Sequence, residues 1–531
     1  MSIRSNEPVY VVWFKRDLRI ADHAALAAAC DTATKTSGSV LCVYVIEPNL
    51  WRSADASERQ FLFLRESLRD LYKALKSIGL TLHVVTGDVV DVLASIHASI
   101  GFAAIHSHEE TGNNLTYQRD IAVGAWCQSN GIAWSEYPQF GVVRRLKTRD
   151  EWSRHRNALM SAAQMPIPER ASDTPWPWAA ERWPKAEVFG MCADSPVQRQ
   201  TGGRTVGLVT LQSFLQERSN SYRGGISSPL SASTACSRLS PYLALGCLSM
   251  REVIAATELR AKEPDLGAWQ RKGLTAFVSR LHWHCHFIQK LEDEPCIEWQ
   301  NMHRGYDQLR ESDWSDERFA RLTTATTGWP LVDACVVMLR ETGWLNFRMR
   351  AMLVSVATYP LWLHWKRVGD WLATQFVDYE PGIHWSQVQM QSGTTGINTL
   401  RVYNPIKQAK DHDPTGAFVR HWLPALRKLP DEWIFEPWKL PANLQTEYGF
   451  KVGHCHANSE VCDWPLPIVD LDAATKAAKA AMYGRRSEST VRTEKAKVLK
   501  KHGSRKIPQQ AKAPKAKRAS KTTDMQTTLD L

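Results

Sequence analysis

The apolar pattern of this chain changes period once, and that change limits its architecture more than any other feature. Up to residue 137, apolar runs of strand length at 10–14, 40–46, 80–85, 103–107 and 132–136 alternate with amphipathic stretches of helical period. One such stretch places Phe61, Leu64, Leu68, Leu71 and Leu75 on a single stripe, with Gly79 where a helix would stop. Repeated β-α units of this kind wind into a parallel sheet with helices on both faces. Residues 138–207 are rich in Pro, Trp and charge, including Pro166, Pro168, Pro175, Pro177 and Pro184, and read as a connector laid over the surface. From 208 to 484 the helical period takes over, as in Val332, Cys335, Val336 and Leu339. The expected fold is therefore an α/β doubly wound domain (1–137), a connector (138–207) and an all-α domain (208–484).

At 531 residues, 44% of them hydrophobic, the chain can bury two cores. The N-terminus carries no apolar leader, and the longest apolar run, 351–365, is too short for a bilayer and contains Pro360. A cytoplasmic monomer is expected. The 11 cysteines show no C-x-x-C spacing, and the triplets His284-Cys285-His286 and His454-Cys455-His456, the latter with Cys462 nearby, lack a second ligand pair at standard spacing, so no metal is expected. The net charge of +11 is unevenly placed. Residues 485–531 hold 14 Lys and Arg against 4 Asp and Glu, a net of +10, and their composition reads as a disordered basic tail able to attract a polyanion such as DNA. Its last six residues, Gln526 to Leu531, fit Q-x-x-L-x-L, a pattern for docking on the replication sliding clamp.

Three segments carry the chemistry. Residues 235–243 read ACSRLSPYL, 342–350 read TGWLNFRMR, and 376–384 read FVDYEPGIH. Hydroxyl and thiol groups before a helix, then arginines and an acid on later helices, suit a diphosphate and a polar ring system. After the first strand, 14–19 contain no glycine, so the sheet lacks the G-x-G-x-x-G turn of an NAD site. The segment His108-Glu109-Glu110-Thr111-Gly112-Asn113 follows the fourth strand, at the carboxyl end where open α/β sheets bind ligands.

In wording and order these segments, with VVWFKRDLRIADHAAL at 11–26 and FVSRLHWHCHFIQKL at 277–291, resemble the cryptochrome/photolyase flavoproteins over nearly everything from Val9 to Tyr483. The resemblance implies FAD in the helical domain and a possible antenna chromophore of folate or deazaflavin type on the sheet; at its carboxyl end Glu109 or Glu110 could accept hydrogen bonds from such a ring, with solvated loop carboxylates as the commoner reading. It implies a light-driven deoxyribodipyrimidine photo-lyase, a carbon–carbon lyase acting on DNA that contains UV photoproducts, cyclobutane dimers first. A cryptochrome-like blue-light photoreceptor is the alternative. Matched residue by residue, Tyr222, Ser237, Leu239 and Ser240 belong to the flavin diphosphate clamp, with Cys236 in place of the usual threonine. Arg350 and Asp378 bracket the flavin, and His384 stands beside its N5, where a histidine could donate a hydrogen bond or a proton. Trp283 packs on the flipped lesion; Arg348, Arg401 and Lys407 contact DNA. Trp365 is the middle member of the photoreduction file. The chain departs from the pattern at Arg280 and His284 beside Trp283, at Met390 in place of a second lesion-packing tryptophan, and at Val388 and Ser312 in place of the other file members. Trp385, Trp362 and Trp314 offer another route. Asn346, Phe347 and Ala351 occupy the positions of the histidine pair of the (6-4) type.

Overall fold

A computed structural model gives the fold and describes residues 7–179, 182–453 and 463–503. Five parallel strands, β1 (Val9–Phe14), β2 (Ser39–Ile46), β3 (Leu82–Thr86), β4 (Ala104–His108) and β5 (Ala133–Tyr137), pair in the order β3-β2-β1-β4-β5. Between them run α1 (Ala24–Lys35), α2 (Glu58–Ser77), α3 (Val89–Ile100) and α4 (Asn114–Ser129). The expected strands fall within two residues of these, and the Phe61 to Leu75 stripe is buried throughout.

Strand β1 is central, and its side chains separate by parity. Val9, Val11 and Trp13 join α3 and α4 in one core. Tyr10, Val12 and Phe14 join α1 and α2 in a second core that runs on through Leu239, Tyr242, Phe277 and Leu281 of the helical region. One face of the sheet is thus welded to the helical domain by continuous apolar packing.

The helical domain begins at α5 (Arg204–Ser213) and includes α6 (Pro229–Ala235), α7 (Ser240–Ala244), α8 (Ala268–Asp293), α9 (Pro330–Thr342), α10 (Phe347–Thr358), α11 (Trp365–Gln375) and α12 (Pro381–Ser392). Helix α12 is the hub. Its Gly382 lies against the Ile288 backbone of α8, Ser386 Oγ donates to Phe287 O at 3.3 Å, and Trp385 packs on Gly369 of α11. Gly369 and Gly382 leave room there for a close approach that a Cβ would block.

The segment after β1 joins the two domains through polar contacts. Arg16 Nε donates to Ala244 O at 2.8 Å, Leu18 N to Leu245 O at 3.1 Å and Arg19 Nη1 to Gly246 O at 2.8 Å, while the Arg16 guanidinium pairs with Glu380. Gly246 has φ +61, and a Cβ there would run into the Arg16 carbonyl, so this contact requires glycine.

The tail differs from expectation. Residues 485–503 are not disordered: α13 (Leu471–Ser487) continues through Arg485, and α14 (Ser489–His502) follows it. A few apolar side chains suffice, because Met482, Val491 and Val498 are buried and His502 Nε2 meets Glu294 Oε2 at 2.6 Å. The sliding-clamp pattern at 526–531 and the triplet at 454–456 lie outside the described residues. No helix among the described residues is long and apolar enough to cross a membrane.

Candidate functional site

The site is built around the turn between α9 and α10. Gly343 ends α9 in the left-handed region at φ +66, which frees Trp344, Leu345 and Asn346 to face three different elements. The Arg238 guanidinium lies 3.9 Å above the Trp344 ring, Leu345 O accepts from Arg350 Nε at 2.6 Å, and Asn346 Nδ2 donates to Ile226 O and Ser227 O at 3.0 and 3.1 Å. Arg350 Nη2 then reaches Asp378 Oδ2 at 2.8 Å, and its guanidinium stands 4.0 Å over the Phe376 ring.

The expected clamp residues gather here. Ser237 and Ser240 are half-buried, Leu239 and Tyr222 are buried, and Tyr222 lies close enough to the Cys236 thiol for the two to interact electrostatically. Helix α7, however, spans five residues and has no side-chain cap at Leu239, so a helix terminus does not supply the field. Guanidinium groups supply it instead. Arg218 donates to Cys236 O and to Ser237 O, the latter at 3.2 Å, and Arg238, Arg350 and Arg218 all act on the Cys236 thiol. Burial pulls Arg238 down to about 10, opposed by Asp378, the carboxylate that counters this cluster. Arg218 and Arg238 were not among the residues expected from sequence. Arg238 was visible inside CSRLSPYL, but its stacking on Trp344 depends on a turn more than a hundred residues away.

At this site the buried Asp378 Oδ1 and Asn346 Oδ1 find no hydrogen-bond partner among the described residues, and on the surrounding helices neither do His284 Nδ1, Arg348 Nε and both amide atoms of Gln387. Such atoms are costly unless a ligand meets them. Arg238 and Arg350 beside one carboxylate, with Arg218 holding the Cys236 and Ser237 carbonyls, fit a diphosphate, and the unmatched acceptors Asp378 Oδ1 and Asn346 Oδ1 fit a hydrogen-bonding ring system. These residues fit FAD.

His384 departs from its expected donor role. Its Nε2 lies 2.9 Å from Gly369 O, an acceptor only, so Nε2 carries the proton, and burial pulls the imidazole down to about 4. At neutral pH it is uncharged, with Nδ1 as a lone-pair acceptor. Trp385 packs 4.7 Å from it, edge to face, and Trp365 lies 6.0 Å from Trp385 with Nε1 on Asn301 Oδ1 at 2.7 Å. Trp362 is instead held by Asp313 beneath Arg310, and Trp314 sits beside Phe319 under Arg367.

On α8, Trp283 is half-buried against His286 and Phe287. Arg280 is exposed, and Met390 and Val388 are buried in α12. Arg348 and Arg401 are half-buried, while Lys407 is exposed and pairs with Asp411 at 3.4 Å.

A second cavity lies between the carboxyl end of the sheet and the helical domain, lined by Trp13, Tyr44, Trp51, Glu110, Asn113 and Tyr379 among others. Glu110 is neither a solvated loop carboxylate nor a free acceptor, because Arg119 holds it together with Glu47 and Asp120. Beside this cavity Asp17, His23 and His108 are fully buried with their ligand atoms within 4.8 Å of one another. A metal is disfavoured by tautomer. Leu26 N donates to His23 Nδ1 at 3.0 Å, which puts the His23 proton on Nε2, 3.0 Å from Asp17 Oδ2. His108 Nδ1 approaches the same oxygen at 2.8 Å. Burial pushes Asp17 up, but the His23 and His108 rings outweigh it and hold the carboxyl well below its usual range, while burial pulls His108 down to about 3.

The model described as "FAD binding domain of DNA photolyase" matches residues 277–484, and "DNA photolyase" matches 10–145, together about two thirds of the chain. Cryptochrome DASH of Gloeobacter violaceus is 29% identical over 503 residues, covering 89% of this chain and 95% of that protein. Deoxyribodipyrimidine photo-lyase of Vibrio cholerae is 26% identical over 464 residues, covering 81% and 93%. A class III photolyase from Agrobacterium tumefaciens superposes with a TM-score of 0.76 at 24% identity, over 92% of this chain and 100% of that one, which supports the fold.

Two predictions follow from this geometry. Arg238→Gln removes one cation from the clamp and is expected to weaken FAD binding to the apoprotein by about 10- to 100-fold, equivalent to about 1.5–3 kcal/mol, in a flavin fluorescence titration; unchanged affinity would take Arg238 out of the clamp. His108 stays neutral when folded but takes a proton near pH 6.5 when unfolded. Its contribution is complete above that pH and is lost on acidification, at about 1.4 kcal/mol per pH unit between roughly pH 6.5 and 4. His108→Asn should therefore flatten the fall of stability across that window by close to one proton, as read from denaturant midpoints at several pH values. An unaltered slope would refute the buried neutral state.

Proposed function

The chain belongs to the cryptochrome/photolyase family, and on that premise we propose that it is an FAD-dependent, light-driven DNA repair enzyme that splits pyrimidine dimers, cyclobutane dimers first. The observation that carries this reading is the electropositive cluster in which Arg218, Arg238 and Arg350 gather at Cys236 while Asp378 pairs with Arg350; Trp283 on α8 is a half-buried indole. Reduced FAD, when bound, supplies a light-excited electron donor for dimer splitting, a reaction with no net redox change. The protein supplies position and electrostatics. Trp283 presents an aromatic face on which an extruded base pair can stack. Arg348 and Arg401 offer guanidiniums to phosphates, Arg348 with a buried Nε that still lacks a partner among the described residues. Lys407 is the weaker candidate, since Asp411 shares its charge. Neutral His384 accepts a hydrogen bond through Nδ1 at the flavin side of α12.

The interdomain cavity suits a planar second chromophore of folate or deazaflavin type, with Trp13, Tyr44 and Trp51 as aromatic walls and Asn113 and Asp55 as polar contacts. A blue-light photoreceptor is favoured by one specific observation: Met390 is buried where the resemblance expects a tryptophan at the lesion.

Purified, photoreduced protein mixed with oligonucleotides carrying one defined cyclobutane dimer should restore intact bases under blue light, as read by chromatography. Flavin bleaching without restoration would select the photoreceptor. Trp365 and Trp385 form the aromatic pair through which an electron can reach the flavin site from outside. Trp365→Phe and Trp385→Phe should each slow photoreduction at least tenfold in absorbance kinetics, whereas Trp362→Phe should leave it unchanged; equal rates in all three would remove the pair from the path.

A further inference from the structure

Helices α13 and α14 meet in a groove lined by Gly396, Tyr483, Arg486, Ser487, Val491, Arg492 and Lys495. Three of these side chains are basic, and none of the three forms an ion pair among the described residues. The acids of the same helices are turned to other tasks. Glu488 holds Arg485 at 3.1 Å, and Glu494 accepts from Gly305 N at 3.1 Å and lies 3.5 Å from His303 Nδ1. The groove therefore presents uncompensated positive charge, with Arg492, Lys495 and Tyr483 exposed and Tyr483 accessible over 56% of its surface.

The walls are fixed. Arg485 donates to Gly305 O and Asp307 O at 2.6 and 3.0 Å, and His303 Nε2 meets Val491 O at 2.9 Å. Met482 and Val491 pack with Tyr306 and Tyr359 in one apolar cluster to which Leu400 and Val402 attach. The segment carrying Arg401 thus runs between the groove and the C-terminal end of α12. Gly396 has φ +69 and lies so close to the His303 ring that any Cβ would collide with it, which draws this segment down onto the groove floor. Arg486, Arg492 and Lys495 all lie beyond residue 484, where the family match ends.

We propose that this groove is a second DNA-backbone site, in which Arg486, Arg492 and Lys495, with the Tyr483 hydroxyl beside them, take phosphates of duplex DNA that continues past Arg401. The inference rests on the DNA repair reading above. Phosphodiester is favoured over an acidic peptide because the cations are spread along a rigid groove and adjoin the surface already assigned to DNA.

The test uses the full, FAD-loaded chain and duplexes of about 10 and 30 base pairs, each with one central cyclobutane dimer. The triple variant Arg486→Ala, Arg492→Ala, Lys495→Ala is expected to match the parent in affinity and repair on the short duplex. On the long duplex it should lose about tenfold or more in affinity, and the slope of log K against log salt should fall by about 2 to 3. Arg486→Lys, Arg492→Lys, Lys495→Arg should restore both. Equal flavin absorbance and melting curves in parent and variants show that neither set acts through folding. Unchanged long-duplex affinity and slope would overturn the inference, as would a loss confined to binding of polyglutamate. Failure of the parent to bind or repair the short duplex would instead sink the repair reading, and undamaged long duplex would then decide the groove by the same salt slope.

Discussion

Two guanidinium groups sharing one buried carboxylate, with a third beside them, are not a stable interior by themselves. Moving an ion out of water costs several kcal/mol after relaxation, and an attraction repays that only where each charge has a partner. Arg218, Arg238 and Arg350 all lie near Cys236, Asp378 counters Arg238 and Arg350, and Asp378 Oδ1 has no partner among the described residues. The arrangement makes physical sense around a dianionic group with a polar ring attached. The surrounding architecture serves to hold these charges in place: the left-handed Gly343 splays the turn, Trp344 supports Arg238, and the close packing at Gly369 and Gly382 fixes α12 beneath the pocket.

The sheet domain takes part in that work. Arg16, Leu18 and Arg19 form hydrogen bonds to the carbonyls of Ala244, Leu245 and Gly246, which directly follow the clamp helix α7, and Arg16 also pairs with Glu380 at the start of α12. One short loop therefore touches both the end of α7 and the start of α12. Its base is held by Asp17, whose carboxylate is kept ionised by buried imidazoles and whose Oδ1 accepts from Lys15 N at 2.7 Å. The cavity between the domains is bounded by the same loop, so a ligand there would rest on groups that also position the clamp.

What could be read from sequence was what local pattern controls. The strands were legible because their side chains alternate across a buried sheet, and α2 because Phe61, Leu64, Leu68, Leu71 and Leu75 repeat at helical spacing. The Arg350–Asp378 pair was legible through its resemblance to known flavoproteins. Arg218 was not, because its role comes from donating to two backbone carbonyls that a helical break brings within reach. Gln387 and Gln391 did carry a signal: with Glu380 and His384 they put polar groups at i, i+4, i+7 and i+11 on a helix that is otherwise buried. Residues 485–503, read as disordered from average composition, are largely helical. Met482, Val491 and Val498 are few, but each falls on the one face that α13 and α14 turn inward, and placement decides burial where composition does not.

His384 shows how far a residue match carries. A histidine at that position is compatible with donating, accepting or shuttling a proton, and sequence leaves all three open. The Gly369 carbonyl decides among them, since it can only accept and so fixes the proton on Nε2. Gly369 must in turn be glycine for α11 to approach the Trp385 ring this closely. Burial then removes the charged form near neutral pH, so transferring the Nε2 proton would break a buried hydrogen bond and leave the carbonyl unpaired. The side chain is thereby held as an acceptor through Nδ1. The polarity of this position is thus set by a backbone atom on a neighbouring helix, which a match of residue types cannot reveal.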